Sequence, residues 1–232
     1  MNKAKLISNR KIAEHTFELS CETDSQFNFI PGQYISIKID DKKSEIPCFR
    51  AYSISSIPDG KTFQLCIKTI ENGRGSNWIS ALAEGSEIKF MGPMGDFTLK
   101  SPLLKNILFL AVGSGITPIK SIIESELKNG SRQNMHLIFG IRHIKGIFYK
   151  DFFKDLAKKY KNFEFTLALT QPESSDWKGK TGRTTEILKT MDIDPKNTSV
   201  YMCGLKEMIV DAKKALIEKD VPKENIFFEN FN

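Results

Sequence analysis

"LFLAVGSGITPIKSIIE", residues 108–124, contains the clearest indication of how the second half of the chain folds. An apolar run ends at Gly113-Ser114-Gly115 and continues as an amphipathic pattern, which predicts a strand, a tight turn and a helix. The two glycines let the backbone turn sharply and come close to a ligand that any Cβ would obstruct. Thr117 is a predicted N-cap, and Pro118 suits the first turn of a helix that starts near it. The amides at such a helix start favour an anion such as a pyrophosphate.

The sequence after this stretch alternates between strand and helix patterns. Apolar strands and amphipathic helices follow one another as "MHLIFGI", "YKDFFKDLAKKY", "FEFTLALT", "RTTEILKTM", "SVYMCG", "LKEMIVDAKKALIEK" and "NIFFENF". Continuous apolar strands separated by helices predict a doubly wound parallel sheet covered on both faces. Taken alone, the turn at residues 113–115 fits an ordinary strand-to-helix connection of such a domain as well as a nucleotide-binding loop.

The sequence before this stretch has a different rhythm. Short β-rich segments are separated by turn residues, in the order "HTFELSC", "QYISIKI", "FRAYSIS", "FQLCIKTI" and "EIKFMG". Strands of this length and spacing favour an antiparallel barrel or sandwich. The change of rhythm predicts two domains, residues 1–102 and residues 103–232.

Composition narrows the functional class. The chain has 232 residues, 40% of them hydrophobic and 27% charged, which is typical of a globular protein. Its four cysteines lie too far apart for an iron–sulfur cluster, and its three histidines lack metal-binding spacing, so no metal site is expected. There is no signal-peptide pattern and no apolar run long enough to span a membrane, so we expect a cytoplasmic protein.

The net charge of +6 suits nucleic acid, an anionic membrane surface or an acidic protein. The basic residues are scattered among acids, without the repeated basic and aromatic pattern that stacks nucleic-acid bases. We therefore expect no nucleic-acid partner and no membrane span, and we expect a monomer.

The stretch "CFRAYSISS", residues 48–56, matches the Arg-x-Tyr-Ser flavin motif, and the chain resembles the ferredoxin–NADP reductase family. Further matches follow in family order: "PGQY" at 31–34, "GRGS" at 73–76, "GPMGDF" at 92–97, "GSGITP" at 113–118, "CG" at 203–204 and "ENF" at 229–231. The resemblance covers almost the entire chain. It implies an N-terminal antiparallel Greek-key β-barrel that binds FAD and a C-terminal domain that binds NADPH or NADH, with no attached iron–sulfur or haem domain.

The strand "FRAYSIS" carries the predicted flavin contacts. Alternation places Arg50 and Tyr52 on one face and Ala51 and Ser53 on the other. Arg50 can meet the FAD pyrophosphate and Tyr52 can stack on the isoalloxazine, while the resemblance implies that Ser53 hydrogen-bonds near flavin N5. An ordinary strand with a surface arginine is the alternative.

A second predicted FAD contact is the turn in "NGRGSNWI". Gly73, Gly75 and Ser76 offer backbone and hydroxyl donors at a helix start, which the resemblance assigns to the FAD diphosphate. Lys68 is predicted to assist through its charge. A plain hairpin turn and an exposed strand lysine are the alternatives.

The nucleotide half contributes the remaining candidates. Gly113, Gly115, Thr117 and Pro118 form the predicted pyrophosphate-binding turn. The resemblance implies that Cys203 and Gly204 lie beside the nicotinamide, and that Glu229 and Phe231 close the flavin site from the C-terminus. Ser53, Cys203 and Glu229 are therefore the predicted catalytic residues, with a core cysteine and a frayed tail as the alternatives.

The choice of nucleotide depends on few residues. Arg142 follows the strand "HLIFG" without an acid that would prefer a ribose 2′-hydroxyl, which favours NADPH. The Ser-Arg pair that binds the 2′-phosphate in many NADPH-using relatives is replaced by "LTQPESS", residues 169–175. Lys180 and Arg183 either compensate for that pair or belong to a solvated loop.

These observations predict an FAD-dependent NAD(P)H oxidoreductase that passes hydride from nicotinamide to flavin, and then single electrons to an acceptor protein such as ferredoxin or flavodoxin. Three alternatives remain open at this point. They are a reductase that uses free flavin as a substrate, an electron-transfer subunit of a larger complex, and a nucleotide sensor without turnover.

Overall fold

A computed structural model describes residues 1–41, 46–173 and 177–231. Within these ranges the chain forms an antiparallel sheet followed by a parallel sheet with helices, six strands in each. The first part contains strands β1 (Asn2–Ala13), β2 (Thr16–Phe27), β3 (Tyr34–Ile39), β4 (Cys48–Ser53), β5 (Gly60–Lys68) and β6 (Glu87–Met94), and helix α1 (Arg74–Ser80) between β5 and β6.

The antiparallel sheet closes into a barrel. Its strand order is β4-β3-β6-β1-β2-β5, and the two outer strands meet through an antiparallel bridge between Ile54 and Leu65. The Ser55 amide also donates to the carbonyl of Gln64 at 2.8 Å. Phenylalanine side chains from β2, β5 and β6 fill the barrel, with ring centroids 5.3–5.4 Å apart. The predicted barrel is confirmed.

The first strand was not among the predicted elements. β1 pairs with both β2 and β6, so it lies in the middle of the sheet. In its first half only Ala4 and Leu6 point into the core, and cationic residues alternate with them. A strand with so little apolar surface has a weak local signal, and its two long-range partners supply the stability that its composition lacks.

The second part has a parallel sheet in the order β10-β9-β8-β7-β11-β12. Its elements are β7 (Asn106–Val112), α2 (Ile116–Lys128), β8 (Asn134–Ile141), α3 (Lys150–Lys159), β9 (Phe163–Leu169), β10 (Lys180–Thr181), α4 (Thr184–Thr190), β11 (Thr198–Gly204), α5 (Lys206–Ile217) and β12 (Ile226–Asn230). Helices α2 and α3 cover one face and α4 and α5 the other, each with its own apolar core. The predicted doubly wound sheet is confirmed.

The strand order reverses between β7 and β11. The chain runs outward from β7 through β8 and β9, and then returns to place β11 on the other side of β7. In open α/β sheets, ligands bind outside the carboxyl ends of the strands at such a reversal. The turn after β7 and the residues that end β11 are therefore the elements that position the site.

The start of helix α2 differs from the prediction. A 3₁₀ turn at Gly113–Gly115 runs directly into the α-helix, which begins at Ile116 with Gly115 as its N-cap. The prediction of Thr117 as the N-cap was wrong. Thr117 is already a residue of the first helical turn, and its hydroxyl donates to the Ser114 carbonyl at 2.6 Å. Because the 3₁₀ turn supplies carbonyl partners for the first helical amides, no side-chain cap is needed. Pro118 lies in the first turn, as predicted.

The two sheets are joined by the residues between Met94, which ends β6, and Asn106, which starts β7. The domain boundary after residue 102 falls in this connection and stays a prediction. Along the described ranges, no helix is long and apolar enough to cross a membrane. The monomeric state and the cytoplasmic location also stay predictions.

Candidate functional site

The strand β4 and helix α1 form the barrel side of the site. A Cβ on Gly75 would lie 2.6 Å from Cγ of Arg50 and 3.4 Å from the Tyr52 hydroxyl, so both side chains lie on the face that contacts α1. Burial raises the pKa of Tyr52 to about 12, against the lowering effect of the Arg50 charge. Tyr52 is therefore a neutral, half-buried ring beside an exposed guanidinium.

The glycine-rich turn before α1 is held in place by its own backbone. The Gly73 amide donates to the Ile70 carbonyl at 3.0 Å, and the Gly73 carbonyl accepts from the Asn77 amide at 3.0 Å. Arg74 makes two 2.6 Å hydrogen bonds to the carboxylate of Asp41, which anchor the helix to the segment after β3. Arg74 is thereby committed to an ion pair, which leaves the exposed Arg50 as the guanidinium on the open face of this turn.

The remaining barrel candidates lie on α1, β5 and β4. Ser76 lies in the first turn of α1 with its hydroxyl against the Gly73 carbonyl at 3.5 Å. Lys68 is exposed at the end of β5, opposite Thr16 of β2. Ala51 is exposed on β4 between Arg50 and Tyr52.

The nucleotide side of the site is packed backbone against backbone. A Cβ on Gly115 would lie 2.2 Å from the carbonyl oxygen of Cys203 and 2.7 Å from the Gly204 nitrogen. The turn after β7 therefore presses directly on the end of β11, at the reversal of strand order. Gly113 has a φ of +56° and open space where a side chain would be, so the turn has room for a ligand on that side.

The C-terminal segment completes the nucleotide side. Strand β12 runs beside β11, with Glu229 opposite Cys203, and the Phe231 amide donates to the Gly204 carbonyl at 2.9 Å. Phe231 is half-buried against the apolar core on the α2 and α3 face of the sheet. Phe231 is thus fixed at the end of β11.

Ser53, Cys203 and Glu229 meet where the two domains face each other. Burial raises the pKa of Glu229 to about 7, and a hydrogen bond with the Ser53 side chain acts in the opposite direction. Burial and the neighbouring Glu229 charge raise the pKa of the Cys203 thiol well above its ordinary value, so this cysteine is no nucleophile. Oxygen Oε2 of Glu229 is buried without a hydrogen-bond partner among the described residues.

Arg142 lies on the same edge of the sheet as the turn after β7. It follows β8 directly, is exposed, and donates from Nε to the side-chain oxygen of Gln171 at 3.1 Å. Lys180 and Arg183 are also exposed near this edge. Ser174 and Ser175, part of the segment that replaces the Ser-Arg pair, lie outside the described residues.

Sequence reasoning missed a buried lysine in α2. Lys120 is 4% exposed and donates to the Ser55 carbonyl of the barrel domain at 3.0 Å. The available signal was its spacing: Lys120 is four residues after Ile116 and three before Ile123, so helical periodicity places it on the apolar face.

The site fits FAD and a pyridine nucleotide on its own geometry. Helix α1 packs closely under Arg50, where a Cβ on Gly75 would lie 2.6 Å from the Arg50 Cγ. This face therefore carries an exposed cation beside a flat ring. At the junction, the buried Oε2 of Glu229 has no hydrogen-bond partner within the part of the chain that the structure describes, and the open turn at Gly113 adjoins it through Gly115 and Cys203. Anionic groups and flat heterocycles are the ligands that such an arrangement accepts.

Comparisons with known proteins agree with this geometry. The model of the oxidoreductase FAD-binding domain matches residues 2–99, and the model of the oxidoreductase NAD-binding domain matches residues 109–214. A curated relative, ferredoxin–NADP reductase B of Sorangium cellulosum, is 28% identical over 240 residues, covering 99% of this chain and 97% of the relative. The toluate 1,2-dioxygenase electron transfer component of Pseudomonas putida is 26% identical over 229 residues, covering 97% of this chain and 66% of the relative.

The chain spans about half to two thirds of the length of several further curated relatives. Among solved structures, a ferredoxin NADP+ reductase from Neisseria gonorrhoeae with bound FAD and NADP has a TM-score of 0.84 at 22% identity, covering 98% of this chain and 97% of that one. This likeness shows the fold of both domains together. The chain belongs to the ferredoxin–NADP reductase family, as an oxidoreductase with one domain for FAD and one for a pyridine nucleotide.

Proposed function

We propose that this oxidoreductase takes electrons from NAD(P)H and delivers them through FAD to an acceptor protein such as ferredoxin or flavodoxin. The observation that carries the proposal is the meeting of Ser53, from the FAD-binding domain, with Glu229 and Cys203, from the nucleotide-binding domain. When bound, FAD would supply the chemistry that links a two-electron hydride donor to a single-electron acceptor. The chain supplies orientation, charge and exclusion of water.

In this proposal the barrel holds FAD along one face. Arg50 pairs with the pyrophosphate, and the exposed Lys68 adds positive charge. Gly73, Gly75 and Ser76 form the start of α1, where the missing side chains of the two glycines let an anion approach the backbone. Tyr52, half-buried beside Arg50, offers its neutral ring for stacking.

The nucleotide-binding domain holds the second cofactor at the reversal of strand order. Gly113, Gly115, Thr117 and Pro118 receive the pyrophosphate, and the open space beside Gly113 supports its approach. Gly204 offers no side chain on the approach to the junction. Binding in this place brings the nicotinamide towards Ser53 of β4, where a near-attack distance of roughly 3 to 3.5 Å is required.

We propose that Glu229 and Ser53 hold and release a proton at the junction. A carboxyl whose pKa is about 7 is close to half-protonated at neutral pH, so it can hold or release a proton without a large energetic cost. The Ser53 hydroxyl, hydrogen-bonded to it, connects that proton to the flavin-binding strand. Cys203 remains a neutral thiol that fills space beside the nicotinamide, and Phe231 closes the junction from the C-terminal side.

Charge and relatives support a protein acceptor. The chain carries a net charge of +6, and complementary charge speeds the encounter between two proteins. Relatives are named as an electron transfer component of toluate 1,2-dioxygenase and as ferredoxin–NADP reductase B. An acidic electron carrier is therefore the acceptor class that we propose for this chain.

Anaerobic titration with each nucleotide, followed by a panel of acceptors, tests the proposal. We expect flavin absorbance to bleach on adding NADPH or NADH, and ferredoxin or flavodoxin to be reduced faster than free flavin or cytochrome. Flavin that stays with the protein through gel filtration supports a bound cofactor, and its loss supports the reductase that uses free flavin. A replete protein without flavin absorbance, or one whose flavin neither nucleotide bleaches, contradicts the proposal.

A further inference from the structure

A buried polar contact joins the two domains behind the proposed cofactor junction. Lys120, on helix α2 of the nucleotide-binding domain, has its Nζ 3.0 Å from the Ser55 carbonyl of the barrel and 3.2 Å from the carboxylate of Glu124. With 4% exposure, this ammonium group is removed from water. A buried cation is tolerated only where such partners replace its hydration.

The next residue of the helix makes a parallel contact. The Ser121 hydroxyl donates to the Ser56 carbonyl at 2.6 Å. Consecutive residues of α2 therefore bind consecutive carbonyls of the barrel segment that follows β4. Two directional hydrogen bonds side by side fix both the distance and the rotation between these segments, whereas apolar contact alone would leave them free to slide.

Aromatic and acidic side chains enclose the ammonium group. Nζ of Lys120 lies 4.5 Å from the ring centre of Phe152 and 5.3 Å from that of Tyr149. The Tyr149 hydroxyl donates to Glu18 of the barrel at 2.9 Å, which is a third contact between the domains. Tyr149 has a left-handed φ of +57°, a conformation that a non-glycine residue keeps only where its surroundings hold it.

The residues that make these contacts lie close in the chain to the two proposed cofactor-binding elements. Ser55 and Ser56 lie two and three residues after Ser53, the proposed flavin contact. Lys120 and Ser121 lie one turn into α2, the helix whose start is the proposed pyrophosphate turn. These two hydrogen bonds therefore connect the segment after the flavin-binding strand directly to the nucleotide-binding helix.

We propose that Lys120 is a positioning residue for hydride transfer, which with Ser121 clamps helix α2 onto Ser55 and Ser56 and so sets the distance between nicotinamide and flavin. The inference rests on the nicotinamide-to-flavin half of the proposed function and makes no use of the acceptor. A misplacement of about 1 Å between reacting groups is enough to slow a reaction on the order of a hundredfold. Loss of the clamp should therefore lower the rate of hydride transfer.

The test is stopped-flow reduction of the flavin in the intact holoprotein. Lys120→Met keeps the length of the side chain and removes its charge and hydrogen bonds. We expect reduction by saturating NADPH or NADH to slow on the order of tenfold to a hundredfold, with the nucleotide Kd within about twofold of the unmodified protein. Oxidation of the dithionite-reduced flavin by ferricyanide, which needs no nucleotide, should keep its rate.

Lys128→Met is the matched control. Lys128 lies on the same helix and pairs with the same Glu124 at 3.0 Å, but its side chain is 52% exposed. This variant removes the same charge, and we expect both half-reactions to keep their rates. Slowing in Lys128→Met equal to that in Lys120→Met would trace the effect to helix charge and overturn the clamp.

Further outcomes separate the clamp from the function on which it rests. If the unmodified protein is reduced and Lys120→Met is reduced as fast, only the clamp fails. If neither nucleotide reduces the unmodified protein, the proposed function fails and the clamp with it. If Lys120→Met loses its flavin, Ser121→Ala decides: slowing of reduction alone supports the clamp, and an unchanged rate overturns it.

Discussion

Two Gly-x-Gly turns, Gly73–Gly75 in the barrel and Gly113–Gly115 in the parallel domain, lead into helices and look alike in the sequence. The second glycine makes room for a side chain in the barrel turn and for a backbone segment in the other turn. A Cβ on Gly75 would meet the Cγ of Arg50 at 2.6 Å, whereas a Cβ on Gly115 would meet the Cys203 carbonyl oxygen at 2.2 Å. A flexible side chain can move aside, but the backbone of a central strand cannot.

The same Gly-x-Gly pattern thus serves two physical purposes in this chain. At Gly115, glycine allows two backbone segments of the same domain to pack together, so the residue is required for the fold. At Gly75, glycine allows a proposed ligand-binding side chain to lie flat against a helix, so the residue is required for binding. Changes at Gly115 should therefore lower the stability of the fold, and changes at Gly75 should weaken cofactor binding.

The largest effect is expected from Gly115→Ala. The new methyl group forces the end of β11 away from the turn, and overpacking of this kind costs about 3 kcal/mol of unfolding free energy. Urea unfolding measures the loss, and nucleotide titration of the folded fraction should show weaker binding. Gly113→Ala is the matched control: its side chain enters open space, so only the left-handed φ of +56° adds a cost, of about 1–2 kcal/mol. Equal costs for the two variants would break the distinction between the turns.

The junction beside Gly115 should also give a distinct pH dependence. The folded pKa of Glu229 is about 7 and its ordinary value is 4.5, so between these pH values the folded protein keeps a proton that the unfolded chain has lost. Stability should therefore fall as pH rises from 4.5 to about 7 and then level off. Glu229→Gln should remove this slope in urea unfolding across that range. Glu224→Gln, a change at an exposed glutamate, should retain it, and an identical slope in both variants would contradict the assignment to Glu229.

The two-domain fold could be predicted because the sequence changes period. Alternating apolar residues in segments such as "QYISIKI" indicate half-buried antiparallel strands, and continuous apolar runs such as "ILFLAVG" indicate buried parallel ones. The sequence pattern did not reveal strand β1 because Ala4 and Leu6 are its only fully buried residues, and lysines alternate with them. Its place in the sheet depends on partners far away in the sequence, and periodicity does not contain that information.

The candidate site was predictable in part. Motif spacing identified Arg50, Gly115 and Cys203. No spacing indicates that Gly115 packs on the backbone of Cys203, since the contact joins the turn after β7 to the end of β11 through the tertiary fold. Lys120 was missed because lysine is normally an exposed residue, and only its helical spacing from apolar residues marks it as buried. The raised pKa of Glu229 was equally out of reach, because burial is decided by the packing of the two domains.

A smaller effect is expected from Gly75→Ala. Arg50 should rotate away from the new methyl group, so unfolding free energy should change by less than about 1 kcal/mol. FAD affinity should fall about tenfold, the size expected when one charge-assisted hydrogen bond is lost. Fluorescence titration of the flavin-free protein measures the affinity.

A double-mutant cycle with Arg50→Ala checks the cause. If the methyl group acts by displacing Arg50, then Gly75→Ala should have little further effect on FAD affinity in the Arg50→Ala background. A full tenfold loss in both backgrounds would show that Gly75 acts directly on the cofactor. The barrel turn would then resemble the turn at Gly115 more than the contacts indicate.

The smallest effect is expected at the rim of the nucleotide turn, with Arg142→Ala. Its guanidinium is exposed and propped by Gln171 at 3.1 Å, so a 2′-phosphate that reaches this edge would gain one exposed charge pair. We expect the KM for NADPH to rise about threefold to fivefold and that for NADH to stay nearly constant, since exposed pairs contribute less than about 1 kcal/mol. Gln171→Ala, which removes only the hydrogen-bond acceptor of Arg142, should change the preference for NADPH over NADH by less. Equal increases for both nucleotides would exclude Arg142 from phosphate recognition and direct attention to Lys180 and Arg183 on the neighbouring segment.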